Sequence, residues 1–174
     1  MSLASSDRLV LRRLSQGDIS PFRAYRGDPE VARFQGWDAM SEAEALGFLG
    51  YMELVDLLKP SEWTQLGLAL RDSDLLIGDI GVHITEDESQ AELGITLALD
   101  LQGKGLGFEA VEMVCAWLFE QTKISRIVAI THAQNARALA LLARSPFQHT
   151  HDTNDVIEGI ATPERWFERR RSEA

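Results

Sequence analysis

The chain has 174 residues, 45% of them hydrophobic, which suits a single domain, 1–174, around one core. Seventeen Lys and Arg against 27 Asp and Glu leave a formal charge of −10. That argues against nucleic-acid partners, and either attracts cationic substrates or simply keeps the surface hydrated. A lone cysteine excludes an internal disulfide and fits a cytoplasmic chain; with no apolar run of about 18 residues and no basic-then-apolar N-terminus, neither a membrane span nor a signal peptide is expected.

In chain order, Arg8 to Arg13 reads as a strand. Asp18 is placed to cap a helical stretch reaching about Gly27, and Pro29 starts a short one. Ser41 with Glu44 three residues on is a capping box for a helix to about Leu58, ended by Lys59-Pro60. Trp63–Arg71 and Leu75–Thr85 alternate as strands about the turn Asp72-Ser73-Asp74, and Gln90–Leu99 follows the turn Glu86–Ser89. Phe108–Gln121 is helical, with Val111, Val114, Cys115 and Leu118 on one stripe, so Cys115 reads as a buried, inert thiol. Ile127–Ile130 is a buried strand, Asn135–Arg144 a helix, and Phe147–Thr150 and Glu164–Arg170 are weaker strands. This order implies a mixed sheet covered on both faces.

Two places carry chemistry. If the hairpin turns over Thr85–Gln90, Ile84 lies opposite Ala91, His83 opposite Glu92, Gly81 opposite Gly94 and Asp79 opposite Thr96. Ile80, Val82, Leu93 and Ile95 then form a core face, and His83, Glu92, Asp79 and Thr96 a polar one. A carboxylate or imidazole there can take the proton from an ammonium before the amine attacks. Directly opposed side chains lie about 5 Å apart, so His83 and Glu92 are within reach of each other.

The second place is Gln102-Gly103-Lys104-Gly105-Leu106-Gly107, between a strand and a long helix. Glycines let the backbone approach a ligand closely, and a helix N-terminus adds roughly half a positive charge. The junction is therefore a phosphate cradle. A Walker A loop fails, because Lys104 precedes Gly105 and no hydroxyl follows. Gly105-Leu106-Gly107-Phe108-Glu109-Ala110 fits the dinucleotide fingerprint, but the next strand, Arg126 to His132, ends without the acidic residue that would hold a ribose.

Gln-x-x-Gly-x-Gly also resembles the pyrophosphate loop of the GNAT acetyltransferases. Leu9-Val10-Leu11-Arg12 looks like that family's first strand, Leu76-Ile77-Gly78-Asp79-Ile80-Gly81 like its third, and Ala91-Glu92-Leu93-Gly94-Ile95 like its fourth. Asn135-Ala136-Arg137-Ala138 opens a helix where the family has one. The likeness runs in order along nearly the whole chain. It leans towards the branch of ribosomal-protein N-terminal (Rim-type) and some aminoglycoside acetyltransferases.

The resemblance implies an α/β (α+β) GNAT fold. Its sheet is mixed but mostly antiparallel, of six to seven strands, with helices on both faces and splayed fourth and fifth strands. It implies acetyl-CoA as cosubstrate, no metal, and direct transfer to a primary amine on a protein N-terminus or a small molecule. A homodimer follows by family habit. Backbone groups of Leu97, Ala98 and Leu99 would hold pantetheine, and Gln102, Gly103, Lys104, Gly105, Leu106 and Gly107 the pyrophosphate. Asn135 would contact the cofactor or act only as an N-cap, Arg137 would meet a phosphate or stay in solvent, and Trp37 would shape the acceptor cleft. Glu92 stands where many members have their base, and His83 is the second candidate. Where many members have a tyrosine to protonate the departing thiolate, this chain has Leu141 and Leu142, and Tyr25 and Tyr51 lie far upstream. The rival readings are aminoglycoside or polyamine acetylation, and a CoA-binding module without turnover. His132, His149 and His151 lack ligand-like spacing, so no metal site is expected.

Overall fold

In the computed structural model, which describes residues 2–157 and 159–172, strands and helices follow in the order β1 Ser2–Ser5, β2 Leu9–Arg13, α1 Ile19–Arg26, α2 Pro29–Ala32, α3 Glu42–Leu54, β3 Trp63–Leu70, β4 Leu76–Ile84, β5 Gln90–Leu97, α4 Leu106–Gln121, β6 Arg126–His132, α5 Ala136–Ala143, β7 Gln148–Ile157 and β8 Ile160–Arg170. The strands form one eight-stranded sheet, ordered β1-β2-β3-β4-β5-β6-β8-β7. Every neighbouring pair is antiparallel except β5 with β6. A parallel pair needs a long crossover, and α4 supplies it.

The alternation of each strand distributes two cores. On one face α4 lays Ala110, Val111, Val114, Cys115 and Leu118 onto Leu66, Leu68, Ile80, Val82 and Leu93. On the other, α1 and α3 bring Phe22, Tyr25, Ala45, Leu49 and Met52 together with Leu14 and Leu76. Cys115 lies on the α4 stripe as expected, fully buried, and that burial pushes its thiol up to about 12. Because the thiolate is the nucleophile, the native chain should stay unlabelled by iodoacetamide at about pH 8, with labelling tracking unfolding in urea. Prompt labelling without urea would contradict this packing.

Four expectations are corrected. The sheet has eight strands rather than six to seven, because Ser2–Ser5 adds an edge strand against Val10–Arg12. Four residues without alternation carry no strand signal of their own. The Ser41–Glu44 capping box forms, but α3 stops at Leu54 rather than Leu58. There the Arg13 guanidinium donates to the carbonyls of Glu53 (3.2 Å) and Val55 (2.7 Å), closing the helix end. Asp18 precedes α1 but does not cap it; its carboxylate takes both guanidinium arms of Arg12 (2.8 and 2.9 Å) instead. β5 ends at Leu97 and α4 begins at Leu106, so Gly105 is the helix cap and the glycine loop is shorter than its motif suggested.

Candidate active site

The β4–β5 register pairs Ile84 with Ala91, His83 with Glu92, Gly81 with Gly94 and Asp79 with Thr96. On β5's other side, pairing with β6 covers only Gln90, Ala91 and Glu92. Beyond Glu92 the two strands diverge, so a gap opens between Leu93–Leu97 and Ala129–His132.

Hydrogen bonding decides which main-chain groups face that gap. The bonds Thr85 N–H to Gln90 O (3.0 Å) and Ala98 N–H to Ile77 O (2.9 Å) bracket the antiparallel ladder. Between them, even-numbered residues of β5 bond to β4, and odd-numbered ones turn their N–H and C=O the other way. Ile95 and Leu97 therefore present backbone groups to the gap, and Leu93 its carbonyl, since the parallel rung at Glu92 and Val128 engages the Leu93 N–H. Ala98 does not, its N–H being held by Ile77, and the Leu97 carbonyl already accepts from the Gln102 side-chain amide (2.9 Å).

The gap continues into two adjoining hollows of about 590 and 620 Å³ that share Phe34, Ile95, Asn135, Ala138 and Leu141 in their walls. The larger is floored by the glycine loop. Gly103 (φ +74°) and Gly105 (φ +80°) sit in the left-handed region, open to glycine at no steric cost. A Cβ on Gly103 would meet nothing within 4 Å, which leaves the loop's surface clear. No side chain caps α4. Its first-turn N–H groups have no intrahelical acceptor and point into this end of the hollow. Arg137 reaches across to Gln102 Oε1 (3.0 Å), so Gln102 ties the end of β5 to α5. Arg144 lines the same wall. The Lys104 side chain is exposed, and Leu106 is buried in the core.

Asn135 caps α5, its Oδ1 accepting from Ala138 N–H (3.2 Å), and lines both hollows. The candidate bases are half-buried on the face that carries α1. Burial pushes the Glu92 carboxyl above its ordinary value, His83 partly offsets this, and the neighbouring Glu164 adds to it. No hydrogen bond or ion pair joins His83 to Glu92 among the described residues. The His83 ring packs on Trp63 instead, 5.3 Å between centroids.

Trp37 does not line either hollow. It lies over the Arg26 guanidinium at 4.1 Å, and its indole N–H is buried without a partner. Arg33, Phe34 and Gln35, just before it, form the hollow's wall, with Phe34 stacked on His132 (5.2 Å). Sequence reading missed Arg33 and Phe34, as it missed Arg144, Glu164 and a buried cluster around Asp79. Asp79 is fully buried and accepts from Tyr25 Oη (2.5 Å), Arg26 Nε (3.1 Å) and Nη2 (3.0 Å), and Gln65 Nε2 (2.6 Å). Burial, then the Asp79 charge, push the Tyr25 hydroxyl well above its usual value. Tyr51 is largely exposed on α3. Neither tyrosine lines the hollows.

Comparison with known proteins places this geometry. Residues 8–148 match the family described as acetyltransferase (GNAT) domain. An uncharacterized N-acetyltransferase of Bacillus subtilis, YoaA, is 27% identical over 148 residues, 84% of this chain and 82% of its own length. A GNAT-family acetyltransferase of Bacillus anthracis shares the fold at a TM-score of 0.82 and 17% identity, over 96% of this chain and 97% of that one. The ribosomal L7/L12 alpha-N-protein acetyltransferase RimL, in complex with coenzyme A, does so at 0.81 and 15%, over 98% of each.

Proposed function

The chain belongs to the GNAT acetyltransferase family and is an N-acetyltransferase, and from that premise we propose that it moves acetyl from acetyl-CoA directly to a bound primary amine, on a protein N-terminus or a small molecule. The observation that carries this reading is the fork. One strand, β5, ends its pairing with β6 at Glu92 and then presents the Leu93 carbonyl and the backbone groups of Ile95 and Leu97 to an open gap. The glycine loop lies at the end of that gap. A general base and an acyl-carrier slot on a single strand suit proton removal beside a thioester.

Bound acetyl-CoA supplies an acetyl group activated as a thioester. The residues fit it: the loop from Gln102 to Gly107 and the uncapped start of α4 offer N–H donors to a diphosphate. Asn135, Arg137 and Lys104 border the same end. The free N–H groups of β5 suit pantetheine and a developing oxyanion, where one donor is worth on the order of 3 kcal/mol. Glu92 accepts the proton of the acceptor ammonium, directly or through one water, with His83 as second candidate. Trp37 acts on the acceptor side through the wall segment Arg33–Gly36 that it anchors. The absence of a tyrosine from the hollows supports a departing thiolate that takes its proton from water or from the substrate. The likeness to RimL favours a protein N-terminus as acceptor; the charge of −10 favours a polyamine or aminoglycoside.

The test follows free-thiol release from acetyl-CoA against a panel of N-terminal peptides, diamines and aminoglycosides, with calorimetric binding of coenzyme A alongside. Release that depends on an unblocked amine is expected. A folded chain that takes up no coenzyme A at millimolar concentration would sink the reading. Gly105→Ala probes the loop: a left-handed Cβ costs about 1–2 kcal/mol, so weaker coenzyme A binding or a lower Tm should follow. Unchanged values of both would remove the loop from the site.

A further inference from the structure

The acceptor side of the cleft carries a carboxylate that the proton transfer does not require. β6 pairs Val128 with Glu92 on one side and with Glu168 on the other, and further along it pairs His132 with Glu164. Opposed residues, and alternate residues along a strand, share a face. Glu92, Ile130, His132 and Glu164 thus project from the same face, and Glu164 lines the smaller hollow together with Gly94, Ile130 and His132.

This carboxylate is uncompensated. Glu168, on the same face of β8, is paired with Arg170 (2.8 Å) and Arg126 (3.6 Å). Glu164 and Glu92 have no hydrogen-bond or ion-pair partner among the described residues. His132 Nδ1 accepts the Gln134 backbone N–H (3.1 Å), and no ion pair joins His132 to Glu164 among the described residues. The other ionisable groups bordering this face are His83 beside Glu92, His151 and Asp155 on β7, and Arg33, which lines the same hollow but is exposed and packs on Phe34. Glu164 lines the hollow and Glu92 does not, but the two half-buried carboxylates share one sheet face without a counter-ion and repel each other. A cationic ligand relieves that repulsion.

We propose that Glu164 is a specificity-determining residue that binds a second cationic centre of the acceptor while the reacting ammonium meets Glu92. The preferred substrates are then small primary amines carrying a second positive charge. This rests on the reading of the cleft as the acceptor site. Glu164 takes no proton in the reaction; it orients the acceptor, and its negative charge also helps keep the neighbouring Glu92 a strong base.

The experiment compares 1,4-diaminobutane with butylamine as acceptors at one pH and ionic strength, for the wild type, Glu164→Gln and Glu164→Asp, each checked for an unchanged unfolding transition. The wild type should prefer the diamine in kcat/KM by roughly tenfold, which is about 1.4 kcal/mol. Glu164→Gln should lose that preference through KM for the diamine, and Glu164→Asp should retain part of it. The acidic limb of the kcat/KM profile with butylamine should also move to lower pH in Glu164→Gln, as the repelling charge is gone. A wild type that acetylates both amines alike, or a preference that survives Glu164→Gln, overturns the proposal while leaving acetyl transfer intact. A wild type that acetylates neither, and no other amine, overturns the underlying reading as well.

Discussion

Glu92→Gln should lower kcat by about 10²–10⁴-fold and leave coenzyme A affinity unchanged. The amide keeps the shape of the side chain and cannot take a proton. The proposed coenzyme A site, the loop and α4, lies at the far end of β5, which the substitution does not touch. The sign of the accompanying stability change makes the test sharper. Burial holds the folded carboxyl above its ordinary value. Its stabilising contribution is therefore full below the unfolded-state pKa and is lost as pH rises through the higher folded value. Above that folded value the ionised Glu92 is a burden on the fold, so the glutamine variant should there be nearly inactive and at least as stable in urea. For the same reason the wild-type rate should climb with pH through that raised value, as the base form appears. A variant with wild-type turnover would shift the role to His83, and one that is inactive because it is unfolded would show it in the same urea series.

Arg26→Met should destabilise the fold by about 3–5 kcal/mol. Arg26 is 8% and Asp79 0% exposed, and the pair is joined through two guanidinium nitrogens. Methionine matches much of the volume but leaves a buried carboxylate without a counter-ion. Tyr25 and Gln65 still donate to Asp79, yet neither carries charge. The substitution also takes the cation from beneath Trp37 and away from Phe22, 4.8 Å from its ring. Urea unfolding of Arg26→Met beside the double variant Arg26→Met with Asp79→Asn separates the causes. If the stranded charge dominates, the double variant recovers much of the loss. A single variant within about 0.5 kcal/mol of wild type would mean that solvent reaches Asp79.

The hairpin and the glycine loop could be read from the chain because their information is local. Alternation on either side of Thr85–Gln90 admits one register, since a one-residue slip would send Ile80 and Val82 to the polar face. Ser41 and Glu44 announced their helix for the same reason. The Asp79 cluster could not be read, because its partners Tyr25 and Arg26 lie more than fifty residues upstream on a helix whose docking angle no local pattern encodes. Ser2–Ser5 became a strand only because β2 offered an edge. Glu164 looked like any charge on a weak strand until β6 brought it round to the open face. Trp37 was expected to shape the acceptor side, and Arg26, which holds it, gave no sequence signal.

The last rung shared by β5 and β6 is the one at Glu92 and Val128, so the proposed base stands at the vertex of a wedge. A vertex moves less than the arms that spread from it. Warming that loosens the Phe34 segment or α5 should therefore change how quickly amines arrive and depart before it disturbs the carboxylate, and the first symptom of heat should be a reversible rise in KM at constant kcat.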